Sequence, residues 1–271
     1  MNTLLAGVVG STAYGLAHAG SDRDVLGMFA APTADLHGLC TPRESHVTTQ
    51  PDSTFHEAGK AVRLILSSNP TASELLWLDV YDVRTPLGDE LIALRGSLLS
   101  APGVRNAYLG YATQQFRKLL TRDPDSRTRA ANDLGSDRAR VSARRLVPSI
   151  ARRRDALVAE LLGRFGNAAS GGAGRWAPEP YRSPGRMHAR HLVRLLRQAE
   201  ELHTTGRLTI RLPDPDEVRR LGEWIAEDPE RARPLIARAE AVLDTGGVLP
   251  EAPDEAAADA WLHRVRRAFY E

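Results

Sequence analysis

A single cysteine, Cys40, stands among the 271 residues. That excludes an internal disulfide and any zinc site built on several thiolates. Lysine is almost as scarce, with Lys60 and Lys118 alone, so the remaining 34 cations are arginines. A GC-rich coding bias accounts for most of such a skew, although the planar guanidinium fork also suits phosphate. The apolar stretch Leu4–Val9 is too short for a membrane span and has no basic region before it. Neither a secretory signal nor a membrane anchor is read there, and the expected location is the cytoplasm. Three motifs are missing as well. No G-x-G-x-x-G follows the first apolar run, no G-x-x-x-x-G-K-[ST] is present, and nothing matches G-x-S-x-G. A dinucleotide fold, a P-loop ATPase and a hydrolase nucleophile elbow therefore lack support.

Hydrophobic residues make up 42% and charged residues 26%, the balance of a globular chain able to build one large domain or two small ones. The net charge of +2 hides a segregation. Residues 1–116 hold 7 basic and 11 acidic residues, residues 117–207 hold 20 and 9, and residues 208–271 hold 9 and 14. A middle of net +11 thus lies between acidic ends. It points to a polyanionic partner more strongly than the total does.

Leu4–Val9, rich in apolar and β-branched residues and ending at Gly10-Ser11, predicts a buried strand leaving its sheet at a turn. Asp24–Ala31 predicts a second strand, stopped by Pro32, and residues 33–50 read as polar and irregular. Asp52–Phe55 predicts a short third strand. Ala58, Ala61, Val62, Ile65 and Leu66 recur at helical spacing, so a helix is expected from about His56 to Ser68. Asn69-Pro70 ends it and starts another. From Leu87 onward the pattern is helical, over Leu87–Leu94, Val104–Leu120, Arg138–Phe165, Met187–His203, Asp216–Glu227, Glu230–Leu243 and Glu255–Phe269. The Gly-rich and Pro-rich run near 166–185 reads as a flexible loop. The expected fold class is α+β. A small N-terminal α/β unit with a mixed sheet, over 1–100, is followed by a mainly helical region over 101–271.

The richest chemistry lies in GSTAYGLAHAGSDRDVLGMF. Gly10-Ser11 alone is an ordinary turn with a helix cap, and Asp22-Arg23-Asp24 alone is an ordinary solvated turn. Together they say more. Residues two apart on a strand share a face, so Asp22 and Asp24 are expected to present both carboxylates together. Such a pair repels itself unless a cation intervenes, and hard oxygen donors suit Mg²⁺. Gly10 allows close backbone approach, and amides opening the helix at Ser11 favour phosphate. A phosphate cradle followed by paired carboxylates is a layout for handling a nucleoside triphosphate.

These residues resemble the DNA polymerase β-type nucleotidyltransferase superfamily, with its Gly-Ser turn, Asp-x-Asp and third carboxylate on a later strand. HEAGKAVRLILSSNPTASELL, the Tyr111-Ala112-Thr113-Gln114 element and the helix RMHARHLVRLLRQAEELHTTGRL are similar to the RNA-ligase-associated predicted nucleotidyltransferases. The resemblance covers about two-thirds of the chain and is less clear over about 121–180. It implies that Asp22, Asp24 and a third acid hold two Mg²⁺ ions, or Mn²⁺ in their place. Asp52 is the expected third acid, with Glu57 and Asp79 also available. Gly10 and Ser11 would hold the β- and γ-phosphates, and Lys60 is a further nucleotide-binding candidate. Glu74 is expected to be structural, as a partner for an arginine, and Asn69 to be a helix cap.

His188 and His191 lie three apart on a predicted helix with Arg186, Arg190, Arg194 and Arg197. A zinc site there lacks a third ligand. The resemblance favours His191 and Arg194 as nucleotide-binding residues, against the alternative of a charged helix face over an apolar one. The expected activity is transfer of a nucleoside monophosphate from a triphosphate to an acceptor hydroxyl. RNA is the expected acceptor, in repair or processing. The alternatives are a small-molecule or protein acceptor, or a binding module without turnover.

Overall fold

The computed structural model describes residues 1–18, 20–39, 42–121 and 184–270. Met1–Leu119 and Pro184–Glu271 form one compact unit, and Leu120–Ser183 is assigned to a second. The expected helix over 138–165 and most of the loop near 166–185 lie outside the described residues.

The N-terminal half supplies five strands: β1 (Asn2–Val9), β2 (Asp24–Ala30), β3 (Ser45–Thr49), β4 (Asp52–Glu57) and β5 (Val83–Arg84). They form one mixed sheet in the order β3-β4-β2-β1-β5. β2 and β4 run parallel, and the other neighbours are antiparallel. β1 and β2 sit centrally, which explains their apolar runs: Leu4, Leu5, Ala6, Leu26, Met28 and Phe29 are all buried. β3 has the composition of a loop, SHVTT, and is mostly exposed. Pairing with β4 makes it a strand rather than burial, so hydropathy could not reveal it.

Between the strands lie α1 (Gly10–Tyr14), α2 (Thr33–Leu36), α3 (Ala58–Leu66) and α4 (Pro70–Glu74). α5 (Pro86–Leu94) and α6 (Ala101–Leu120) follow β5. Local chemistry sets these boundaries. α3 buries Ala58, Ala61, Val62 and Ile65 along one stripe, and the Glu57 carboxylate caps it by accepting from the Gly59 amide. Asn69 caps α4 by accepting from the Ala72 amide at 3.0 Å, with Pro70 in the first turn. Thr85 and Pro86 open α5 in the same way.

After the second unit come α7 (Pro184–Thr205), α8 (Pro215–Glu227), a 3₁₀ turn at Pro229–Ala232, α9 (Arg233–Leu243) and α10 (Glu255–Ala268). α7 carries the seam of this half, burying Leu192, Val193, Leu195, Leu196, Ala199 and Leu202. α8 packs closely on it, because Gly222 leaves no Cβ to strike Arg190.

The C-terminal helices return onto the sheet region and share its core. The Ala101 amide donates to Pro250 O and the Asp254 amide to Ser97 O, both at 2.8 Å. Trp261 of α10 is fully buried, and its indole N–H donates to Leu87 O at 2.8 Å. At the other side of α10 the Thr33 hydroxyl donates to Arg266 O at 2.6 Å. Among the described residues no helix is long and apolar enough to cross a membrane.

Arg266 grips the buried Glu57 with both guanidinium nitrogens. Burial pushes the Glu57 carboxyl up, but the Arg266 pair and the Gly59 amide outweigh it and hold it below the ordinary carboxylate range. A depressed carboxyl contributes stability that is present above the unfolded value, near 4.5, and is lost as pH falls through the folded one. Arg266→Met is expected to cost about 3 kcal/mol at pH 7. The gap between wild type and variant in urea melts should shrink as the pH drops below that value. A gap independent of pH would contradict this account of the pair.

Candidate active site

β1 ends at Val9 opposite Asp24, the first residue of β2, and Gly10 turns the chain away there. Gly10 has φ +70, a conformation other residues adopt at a cost. A Cβ on it would also lie 2.2 Å from Asp24 Oδ2. Two requirements therefore meet at one glycine: a left-handed backbone, and direct contact with the carboxylate beside it. Ser11 lies inside α1, and the cap position falls on Val9 without a side-chain hydrogen bond, so the expected Ser11 cap is not formed.

The β2–β4 register pairs Val25 with Ser53, which sets Asp24 and Asp52 side by side at the start of parallel strands. Alternation keeps both on one face with Leu26, Thr54, Met28 and His56. Asp22 does not share the strand with Asp24 as expected, because β2 begins only at Asp24. Asp22 still acts on Asp24 through its charge. Burial, Asp52 and Asp22 together raise the Asp24 carboxyl above its ordinary value, in that order of weight. Asp24 is half-buried, while Asp22 and Asp52 are exposed. Among the described residues no three acidic, histidine or cysteine side chains are drawn closely enough to cage a metal ion. Asp22, Asp24 and Asp52 are hard oxygen donors of the chemistry that suits Mg²⁺, set apart rather than gathered into a cage, and a divalent cation would relieve the repulsion felt at Asp24.

Two alternative third acids lie elsewhere. Glu57 is at the far end of β4 and bound to Arg266, and Asp79 is an exposed residue between α4 and β5. Lys60 is not brought to the carboxylates. Its ammonium donates to Ser45 Oγ at 2.7 Å, and Ser45 pairs with His56, four residues along β4 from Asp52. Four strand residues span about 13 Å. Helix periodicity placed Lys60 on α3 but could not say which end of the sheet it reaches.

Arg194 is the clearest departure. Expected at a phosphate, it is 3% exposed. Its guanidinium pairs with the buried Glu74, donates to Gln198 Oε1 at 2.8 Å and to His191 Nδ1 at 3.1 Å. It also stacks on the Tyr14 ring, 4.2 Å from its centroid. Tyr14 donates its hydroxyl to the other Glu74 oxygen at 2.6 Å, and Gln198 donates to Glu74 Oε1 at 3.0 Å. Burial opposes the guanidinium charge, but Glu74 outweighs it and keeps Arg194 protonated. The charge is spent inside the protein, leaving none to offer a nucleotide.

His191 sits one turn away with its pKa pushed down to about 3 by burial, Arg194, His188 and Lys118. Arg194 can only donate, so His191 Nδ1 accepts and the ring is neutral. His188 pairs with Gln115 at 2.7 Å, and Asn69 donates to the Tyr111 hydroxyl at 2.9 Å. The Asn-Pro and Tyr-Ala-x-Gln elements thus meet through Asn69 and Tyr111, and His188 reaches Gln115, the residue that follows the second element. Sequence reasoning missed Tyr14, whose place inside GSTAYG gave no sign of a buried hydroxyl.

Residues 1–209 match the model of a family described as RlaP, an RNA repair pathway DNA polymerase beta family. The chain belongs to this family. No match was found among curated proteins. In this RlaP member the Gly-Ser turn, Asp24 and Asp52 lie at one end of the sheet.

Arg194→Met is expected to lower unfolding stability by about 3–5 kcal/mol, because it strands Glu74 in the core. Adding Glu74→Leu should restore most of the loss. A single variant as stable as wild type would return Arg194 to the list of surface ligands.

Proposed function

We propose that this chain transfers a nucleoside monophosphate from a nucleoside triphosphate to an acceptor hydroxyl, and that the acceptor is an RNA end. One observation carries the chemistry: Gly10 rests against the Asp24 carboxylate, and burial together with the charges of Asp52 and Asp22 raises that carboxyl. Family membership supports the RNA setting, and the basic middle segment adds an electrostatic reason for a polyanionic acceptor.

Asp22, Asp24 and Asp52 would hold Mg²⁺, or Mn²⁺ in its place, which supplies Lewis-acid charge to the phosphoryl oxygens when bound. Gly10, which has no side chain, would let the backbone of the turn approach the β- and γ-phosphates closely. The acceptor hydroxyl oxygen forms a bond to the α-phosphorus, the bond from that phosphorus to the β-phosphate bridge breaks, and pyrophosphate leaves in line. Asp52, exposed at the head of β4, takes the hydroxyl proton. His191, neutral and next to Arg194, remains a candidate for nucleotide contact through its Nε2–H. Lys60 and Arg194 do not enter this scheme.

Asp24→Asn keeps the shape of the side chain and removes the charge that the other two acids oppose. With labelled triphosphates, Mg²⁺ and RNA, it is expected to lose about 100- to 1,000-fold in transfer, the scale of a lost electrostatic group. Its thermal unfolding should match or exceed wild type, since one repelling charge is gone. Transfer at the wild-type rate would sink the reading. Steep weakening of acceptor binding with salt should accompany an RNA acceptor, and a flat response would move the acceptor to a small molecule.

A further inference from the structure

α1 is only five residues long, about 7.5 Å from end to end. Its first residue touches the Asp24 carboxylate, and its last is clamped in the core. Tyr14 is 8% exposed and held by three separate contacts. Glu74 from α4 accepts its hydroxyl, Arg194 from α7 covers its ring, and its carbonyl accepts from the Leu212 amide at 3.2 Å. The next residue, Gly15, is left-handed and closes the helix, and its carbonyl accepts from Arg219 at 2.8 Å. A buried ion pair is thus aimed at one end of a rigid single turn whose other end is the candidate site.

We propose that Tyr14, Glu74 and Arg194 are positioning residues that fix Gly10 and Ser11 against Asp24, through the Tyr14 hydroxyl. This rests on the transferase reading above for its substrate, a nucleoside triphosphate, and adds how the turn that receives it is held. The strut joins segments far apart in the chain, since Tyr14 and Glu74 are 60 residues apart and Glu74 and Arg194 are 120 apart. A short turn cannot hold such a position by itself, because isolated helical turns are marginal in water. Its register has to be imposed by packing from outside, and these three side chains do so from the buried side. Arg194 therefore acts through Tyr14 without touching the nucleotide.

Tyr14→Phe tests this. It keeps the ring and its stacking on Arg194, removes one hydroxyl, and leaves Glu74 Oε2 without that donor. Val265→Ala is the control, a core truncation in α10 that touches none of the strut. Two readouts are compared with wild type: amide hydrogen exchange over residues 10–13, and affinity for a non-hydrolysable nucleoside triphosphate with Mg²⁺. Tyr14→Phe is expected to speed exchange in 10–13 and weaken nucleotide binding about tenfold, the scale of a lost supporting contact. The KM for nucleotide should rise in step while the KM for acceptor stays put. Val265→Ala should change neither readout at that turn. Equal behaviour of the two variants in exchange and affinity would overturn the proposal. If wild type binds no nucleotide, the transferase reading fails, and the exchange readout still decides the strut: faster exchange in Tyr14→Phe alone supports it, and unchanged exchange overturns it.

Discussion

The buried pair of Glu74 and Arg194 is the contact on which the rest of the architecture leans. Taking both charges out of water costs several kcal/mol each, so the pair persists only because its remaining valences are filled. Tyr14 and Gln198 donate to the carboxylate, while Gln198 and His191 accept from the guanidinium. Tyr108 lies buried beside them, its hydroxyl pushed well above the ordinary range by desolvation and by Glu74. Such a network specifies one arrangement, because a slipped α7 would leave several polar groups stranded at once. It joins the first helix, the Asn-Pro helix and the long C-terminal helix within one core.

That constraint explains why the two halves of the described chain form one unit. The sheet alone offers a modest core, with β3 exposed and β5 only two residues long. α7 and α10 complete it from the far end of the sequence, through Arg194 at one place and through Trp261 and Arg266 at others. The first helix, which starts beside Asp24, meets Arg194 from far along the chain at its other end, where the guanidinium covers the Tyr14 ring. At the head of β2 and β4, Asp24 sits half-buried against two like charges. A less rigid scaffold would let the carboxylates drift apart.

Much of this was legible in the sequence. Hydrophobic runs marked β1 and β2, helical spacing marked α3, α5 and α7, and Asn69 was readable as a cap. The resemblance put Asp52 forward as a third acid, and the strand register sets Asp24 and Asp52 at neighbouring strand starts. The illegible parts share a cause: they depend on what lies across space. β3 is polar because it pairs at an edge, and Asp22 falls outside β2 because the strand starts two residues later. The Lys60 ammonium goes to Ser45 on the edge strand, and Arg194 faces inward to a carboxylate 120 residues earlier. An arginine on a helix looks the same in sequence whether it meets phosphate or a buried acid.

In the proposed reaction the α-phosphorus of a triphosphate is the centre under attack. The most direct measurement follows two labels through one reaction of the wild-type chain with Mg²⁺ and RNA. One label sits on the α-phosphate and the other on the γ-phosphate. The account predicts that the α-label enters the acceptor while the γ-label appears in pyrophosphate, in equal amounts. A γ-label found on the acceptor, or no label moved to RNA, protein or any small molecule, would contradict it.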